Sequence, residues 1–456
     1  MLIRSISGLR GTVGIDASGL SCEVVSRYAS LFASYLGNQG AIALGYDGRK
    51  GGDLFYKCAA EAIRSAGCDV MMLGVVPTPT VQMAAEHGEG VVGGIAITAS
   101  HNPSQWNGMK FIAGTGLFLD ADENHALWDL VDGVGSRTVP IESFGNLLDG
   151  SASIEQHLEL VLTIPFLALE RIRARKFRVV VDAVNASGSI IIPRLLRALG
   201  VEEIIELACD ASGIFPHKPE PVPGHLTGLS EAVIKHKADF GIAVDPDADR
   251  LVLIMENGEP FIEENTIVLA VEQVLKHLDE GQRVVVNLST TRAVEDVAAL
   301  FGSEVIRTPV GEINVSKRMK SIGAVIGGEG SGGVILPSVH YGRDSLVGVA
   351  LALSALAECP GTISEKKRAL PQYTIRKSKI DSESQDQIRI ILEKLEASLA
   401  GKSTSVNRED GLRFEFAHSW LHARSSNTEP IIRLIAEAPT AAEADTLLEF
   451  AQASIA

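Results

Sequence analysis

The sequence predicts an α/β protein of three related mixed α/β domains followed by a C-terminal α+β domain. Two observations carry this. A strand–turn–helix–strand pattern occurs three times, and the tail changes to alternating strands. The first copy, residues 41–76, runs from the apolar strand AIALGYD through a Gly-rich turn. A helix with Phe55, Ala59, Ile63 and Ala66 on one face follows, then a second apolar run from Val70. The second, 177–208, runs from RVVVDAV through NASGS to a helix face of Ile191, Leu195 and Leu199, then VEEIIEL. The third, 283–308, has RVVVNL, the face Val294, Val297, Ala298 and Phe301, and SEVIRT. From about residue 368 a helix with Ile388, Ile391, Leu395 and Leu399 on one face precedes LRFEF, WLHAR and IIRLIAE, the signature of an antiparallel sheet, and a closing helix. Gly, Pro and charged junctions place the domains at 1–150, 151–256, 257–367 and 368–456.

A chain of 456 residues exceeds what one hydrophobic core serves, and its 46% hydrophobic content is ample to fill several. The formal charge of −16, from 57 acidic and 41 basic residues, disfavours nucleic acid and anionic membranes as partners. It leaves room for an anionic small molecule wherever arginines converge. Five cysteines without a CxxC pair fit neither a disulfide framework nor a zinc site. With no run near the ~18 apolar residues of a membrane span, the expectation is a soluble cytoplasmic protein.

Four loops carry candidate chemistry. In TASHNPSQWNGMK (98–110), Ser100 ends an apolar strand, and Asn102-Pro103 forces the chain out of regular structure. A plain turn serine fits that much; His101, Asn102 and Lys110 add groups able to hold or titrate a phosphate. In AVDPDADRLVLI (243–254), Asp245, Asp247 and Asp249 alternate, so an extended turn directs three carboxylates one way, a set suited to Mg²⁺ or Ca²⁺. An EF-hand loop would place Glu256 twelfth, but Arg250 stands where its glycine is needed and LVLI continues as a strand. A solvated acidic turn leaves the flanking apolar strands unexplained. IGGEGSGGVILP (326–337) holds Glu329 and Ser331 in glycines, which suits sugar hydroxyls and equally a flexible hairpin. In HARSSNTEPIIRLIAEA (422–438), Arg424, Ser426, Asn427, Thr428 and Arg433 suit a phosphate dianion, the plain alternative being a capped hairpin with solvated arginines.

Taken in order, these loops resemble the α-D-phosphohexomutase superfamily over essentially the whole chain, from SGLRG (7–11) onward. TPVGEINV (308–315) and HYGRDSL (340–346) are similar to its archaeal and Bacteroidetes-type branch. The resemblance implies four domains around a central cleft, with Ser100 as phosphoserine and metal ligand beside Asp245, Asp247 and Asp249. It places Arg250 at the transferring group, and Arg10, Lys110 and His101 in phosphate clamping and proton transfer. Glu329 and Ser331 hold the sugar; Arg424, Ser426, Asn427 and Thr428 hold the phosphate that is not reacting. The implied activity interconverts the 6- and 1-phosphates of glucosamine, mannose or glucose, with Mg²⁺ and a hexose 1,6-bisphosphate activator, in a monomer or homodimer. Gly333 departs from the pattern, standing where many bacterial members have a histidine. Two other classes compete: a DxD metal-dependent nucleotide-sugar transferase, for which no nucleotide fingerprint is present, and a non-catalytic sugar-phosphate sensor.

Overall fold

The computed structural model describes residues 1–15, 18–382, 384–425 and 431–455. Three of its four sheets share one plan. In the first, Ala41–Tyr46 is flanked by the parallel strands Asp69–Val75 and Val91–Ile97, and Trp106–Ala113 returns antiparallel to the latter. In the second, Arg178–Asp182 lies between Glu203–Ala208 and Phe240–Val244, with Leu251–Met255 antiparallel. In the third, Arg283–Asn287 lies between Glu304–Thr308 and Ile326–Glu329, with Gly333–Ile335 antiparallel. A hairpin of Leu2–Ser5 and Gly8–Thr12, and the short strand Leu147–Asp149, widen the first sheet to seven strands. The inner parallel strands are apolar and largely buried, as sheets covered by helices require, whereas the outer strands Glu203–Ala208 and Glu304–Thr308 are largely part-exposed. The expected crossover helices are Gly52–Ser65, Gly188–Leu199 and Ala293–Leu300, and their predicted faces are buried, with Phe301 just beyond the last of them partly so.

This common plan places function. In each unit the link from the third parallel strand to its antiparallel neighbour is a short hairpin at the strands' carboxyl ends, where open α/β sheets receive ligands. Those hairpins are residues 98–105, 245–250 and 330–332, the serine, aspartate and glycine loops.

The tail is the expected antiparallel sheet, of five strands, with Ile388, Leu395, Phe414, Leu421 and Leu434 in its core. One strand was not foreseen. Thr374–Asp381 pairs over eight residues with Ile431–Ala438 before the first helix begins. TIRKSKID carries few apolar residues because it is an edge strand, so backbone pairing and not burial makes it.

A buried knot joins the three α/β units. Asp344 caps the helix Ser345–Glu358 through Oδ1, which accepts from Leu346 N–H at 2.8 Å. Its Oδ2 lies 2.8 Å from His157 Nε2 and 3.2 Å from His340 Nε2, and Thr80 Oγ1 meets His157 Nδ1 at 2.9 Å. The three side chains are close enough to ligate an ion. However, Gly342 N–H donates to His340 Nδ1 at 2.9 Å, which puts the ring hydrogen on Nε2, facing Asp344. The cluster is therefore a hydrogen-bond knot and not a metal site.

Burial alone would raise the Asp344 carboxyl, but His157 and His340 outweigh it and hold the group below its ordinary 3.8. A depressed carboxyl contributes stability above that pH and loses it on acidification. Asp344→Ala, which strands two buried imidazoles, should cost about 3–5 kcal/mol, read as a lowered urea midpoint. Asp344→Asn should flatten the loss of thermal stability below about pH 4; a wild-type acid slope in that variant would contradict the assignment.

Candidate active site

Ser100 sits at φ 48°, in the left-handed region that a non-glycine residue occupies only when held there. What holds it is a buried pair from the turn after Ala41–Tyr46. Arg49 Nε lies 2.7 Å from Asp47 Oδ2, and its guanidinium donates to the carbonyls of Ser100 and, at 2.8 Å, of Trp106. Asp47 accepts from Thr98 Oγ1 at 2.6 Å, and Thr98 accepts from Ser100 N–H at 2.8 Å. Neither Asp47 nor Arg49 was singled out from the sequence, since an Asp-Gly-Arg turn has no signature of its own. The result aims the Ser100 hydroxyl at Asp245, to whose Oδ2 it donates at 2.9 Å, while His101 Nδ1 lies 3.1 Å from Ser100 Oγ itself. Arg250 above all, then burial and Arg10, push the His101 imidazole down to about 2.

The aspartate turn runs between two fully buried strands, and all three carboxylates are 0% exposed, with oxygens within 4.8 Å of one another. Such crowding is tolerable only with cations, and these arrive from other units. Lys110 Nζ lies 2.6 Å from Asp247 and 3.0 Å from Asp249; Thr78 Oγ1 donates to Asp247 at 2.7 Å; Arg343 Nη2 lies 2.7 Å from Asp249. Burial, reinforced by Asp249 and Asp247, raises Asp245 well above the usual carboxylate range. Burial also opposes ionisation of Asp249, but Arg343, Lys110 and Arg250 overcome it and hold that group low. Lys110 is shifted upward, since Asp247 and Asp249 outweigh its burial, and stays a cation. Among the described residues, Asp247 Oδ1 and Asp249 Oδ1 are buried without a hydrogen-bond partner. These two unpartnered oxygens, beside the Asp245 carboxylate, are hard donors that fit Mg²⁺. Glu256 lies elsewhere, bonded to Ser364 at 2.5 Å, so no EF-hand forms.

Glu329 ends the strand Ile326–Glu329. Its Oε1 accepts from Asn287 Nδ2 at 2.8 Å and Gly311 N–H at 3.1 Å; its Oε2 meets Arg343 Nη1 at 2.7 Å. Arg343 is the residue sequence reasoning passed over. It joins Asp249, Glu329 and, at 3.0 Å, Glu312, and the adjacent Asp344 fixes its backbone in the three-domain knot. Only HYGRDSL as a string pointed to it. Arg343 also accounts for Gly333: a Cβ there would lie 2.3 Å from Arg343 Cδ, so a histidine and this arginine placement exclude each other.

In the fourth unit, Arg424 and Arg433 stand directly opposite on adjacent antiparallel strands. Like charges so placed repel; one carboxylate, Asp410, meets Arg424 Nε at 3.0 Å. The pair suits a dianion. Ser426, Asn427 and Thr428 lie outside the described residues. A cavity of about 330 Å³ collects His101, Arg250, Glu329, Ser331, Arg424 and Arg433, drawn from all four units. Lys377, from the unforeseen edge strand, lines it too. Arg10 enters from the N-terminal hairpin and donates to Asn102 Oδ1 at 2.9 Å.

Models of phosphoglucomutase/phosphomannomutase α/β/α domains I, II and III match residues 2–137, 155–258 and 263–373, and the C-terminal domain model matches 379–453. A Thermococcus kodakarensis phosphoglucomutase/phosphomannomutase is 32% identical over 97% of this chain and 96% of its own. A Methanopyrus kandleri relative named "Probable phosphoglucosamine mutase" is 32% identical over 95% and 93%. The crystal structure of a phosphoglucomutase/phosphomannomutase family protein from Burkholderia thailandensis superposes with a TM-score of 0.86 at 28% identity, covering 100% of this chain and 97% of that one. No single helix among the described residues is long and apolar enough to cross a membrane.

Calorimetric titration should find one Mg²⁺ or Mn²⁺ site per chain. Asp247→Ala should weaken it by at least roughly 100-fold; unchanged affinity would remove the aspartate turn from consideration.

Proposed function

The chain belongs to the phosphoglucomutase/phosphomannomutase family of α-D-phosphohexomutases, and on that premise we propose that it interconverts hexose 6-phosphate and hexose 1-phosphate through a phosphorylated Ser100. The observation that carries this reading is a strained, buried serine whose hydroxyl lies 2.9 Å from the aspartate turn. Strain of that kind is retained where geometry serves chemistry.

In the first half-reaction the bond from phosphorus to Ser100 Oγ breaks as a free sugar hydroxyl oxygen bonds to phosphorus. That hydroxyl's proton passes to His101 Nε2 while His101 Nδ1, 3.1 Å from Ser100 Oγ, gives its proton to the departing serine oxygen, and a hexose 1,6-bisphosphate results. The bisphosphate reverses in the cleft; Ser100 Oγ then takes the other phosphoryl group as its hydroxyl proton returns to His101 Nδ1, and His101 Nε2 gives its proton back to the departing sugar oxygen. Of the causes that depress His101, the charges of Arg250 and Arg10, though not its burial, are offset by a seryl phosphate. Asp245, Asp247 and Asp249, beside the seryl phosphate, would hold Mg²⁺, which would supply positive charge against the transferring oxygens. Lys110, Arg10 and Arg250 add fixed charge to the same oxygens. Glu329 and Ser331 accept from sugar hydroxyls, and Arg424 and Arg433, with Ser426, Asn427 and Thr428, hold the phosphate that is not reacting. A free hexose 1,6-bisphosphate serves as activator by loading Ser100.

Phosphorus NMR with Mg²⁺ and catalytic hexose 1,6-bisphosphate should show a new anomeric phosphate from glucosamine, mannose or glucose 6-phosphate. Silence from all three would refute the mutase. Ser100→Ala should lower turnover by at least roughly 10³-fold while still binding sugar phosphate. Arg424→Ala should raise KM about tenfold with kcat little changed, because its ligand is the same in both half-reactions. A loss confined to kcat would move Arg424 to the reacting end.

A further inference from the structure

On the strand Trp420–Ser425, Leu421 and Ala423 pack into the fourth unit's core, so His422 and Arg424 leave the opposite face, toward the third unit. His422 is fully buried there between two partners. Its Nε2 lies 2.7 Å from the Asp410 carbonyl oxygen, and its Nδ1 lies 2.9 Å from the hydroxyl of Ser289, a residue of the third unit. A carbonyl only accepts, so the ring hydrogen is on Nε2. Burial pushes the imidazole down to about 4, which leaves Nδ1 a bare lone pair near neutral pH. Ser289 therefore donates its one hydroxyl proton to His422 and presents only lone pairs elsewhere.

Ser289 lines the same cavity as Glu329, Arg343 and Arg424. It is tied to both ends of that cavity. Its N–H donates to Asn287 Oδ1 at 2.8 Å, and Asn287 Nδ2 donates to Glu329. Through His422 it reaches Asp410, whose carboxylate meets Arg424 and accepts from Val310 N–H at 3.0 Å. Glu329 already accepts from Asn287, Gly311 and Arg343, which leaves a carboxylate about one further lone pair. Ser289 is the less committed acceptor.

Resting on the mutase reading of the cleft, we propose that Ser289 Oγ is a specificity-determining acceptor for a ring hydroxyl of the bound hexose phosphate, with His422 and Asp410 as the positioning residues that fix its polarity. A sugar group at that place must donate. Fluorine, which cannot, is rejected, and so is a deoxy carbon.

The test uses full-length protein with glucose 1-phosphate and its 2-, 3- and 4-deoxyfluoro analogues, reading Kd by calorimetry and KM and kcat by turnover. One analogue should bind wild type about tenfold more weakly than the parent sugar, the loss expected for one well-formed hydrogen bond. Ser289→Ala should erase that difference and leave the other two analogues as they were. His422→Gln should keep the wild-type pattern, since its amide donates to Asp410 and its oxygen accepts from Ser289. His422→Leu should lose it, raising KM several-fold with little change in kcat. Equal discrimination in wild type and Ser289→Ala, no discrimination in wild type, or like behaviour of a folded His422→Gln and His422→Leu overturns the proposal. Should His422→Leu not fold by circular dichroism, the Ser289→Ala comparison decides alone. A protein that shows the Ser289-dependent binding pattern but turns over no hexose phosphate would refute the mutase reading and leave the acceptor site standing.

Discussion

Three carboxylates buried within 4.8 Å of one another repel strongly in a medium of low dielectric constant, and each has given up its hydration. The aspartate turn's own cation, Arg250, stands off at 3.9 Å from Asp245 and 3.8 Å from Asp249 and balances them only in part. The rest arrives from elsewhere: the charges of Lys110 from the first unit and Arg343 from the third, with a hydrogen bond from Thr78. The second unit's loop is thus electrostatically incomplete without its neighbours. That requirement sets where the three units stand, and the His157–Asp344–His340 knot, one residue from Arg343, secures the arrangement at its back.

The threefold repeat turns this constraint into a site. Because the same four-strand order runs through each of the three sheets, each sends one hairpin from the same topological position, and convergence of the units brings a serine, three aspartates and a glutamate together. One architecture supplies three different chemistries by changing only the residues of a short link. The fourth unit follows another plan and brings opposed arginines; its contact with the third includes hydrogen bonds of Ser289 to His422, Val310 to Asp410 and Arg292 to Glu437.

Much of this was legible beforehand for a local reason. Crossover helices show as buried faces at the 3.6-residue period and parallel strands as short β-branched runs, so the three units could be read residue by residue. Ser100, the three aspartates, Glu329 and Arg424 stood out because turn chemistry and alternation put reactive groups at strand ends. Thr374–Asp381 did not stand out, since an edge strand formed by backbone pairing leaves little apolar pattern.

What the sequence by itself determined is the content of each unit: its succession of strand, turn, helix and strand, and the residues of its loop. Periodicity, turn residues and side-chain chemistry act over a few residues and need no distant partner. What only the tertiary structure decided is which groups meet. Arg49 grips Ser100 across 51 positions in the chain, Arg343 reaches Asp249 across 94, and His422 fixes Ser289 across 133. Such pairings depend on how whole units pack, because burial of charge is tolerable only where the complementary group is delivered in three dimensions. The tautomer of His422 and the exclusion of a side chain at Gly333 are consequences of that packing, and no local pattern records them.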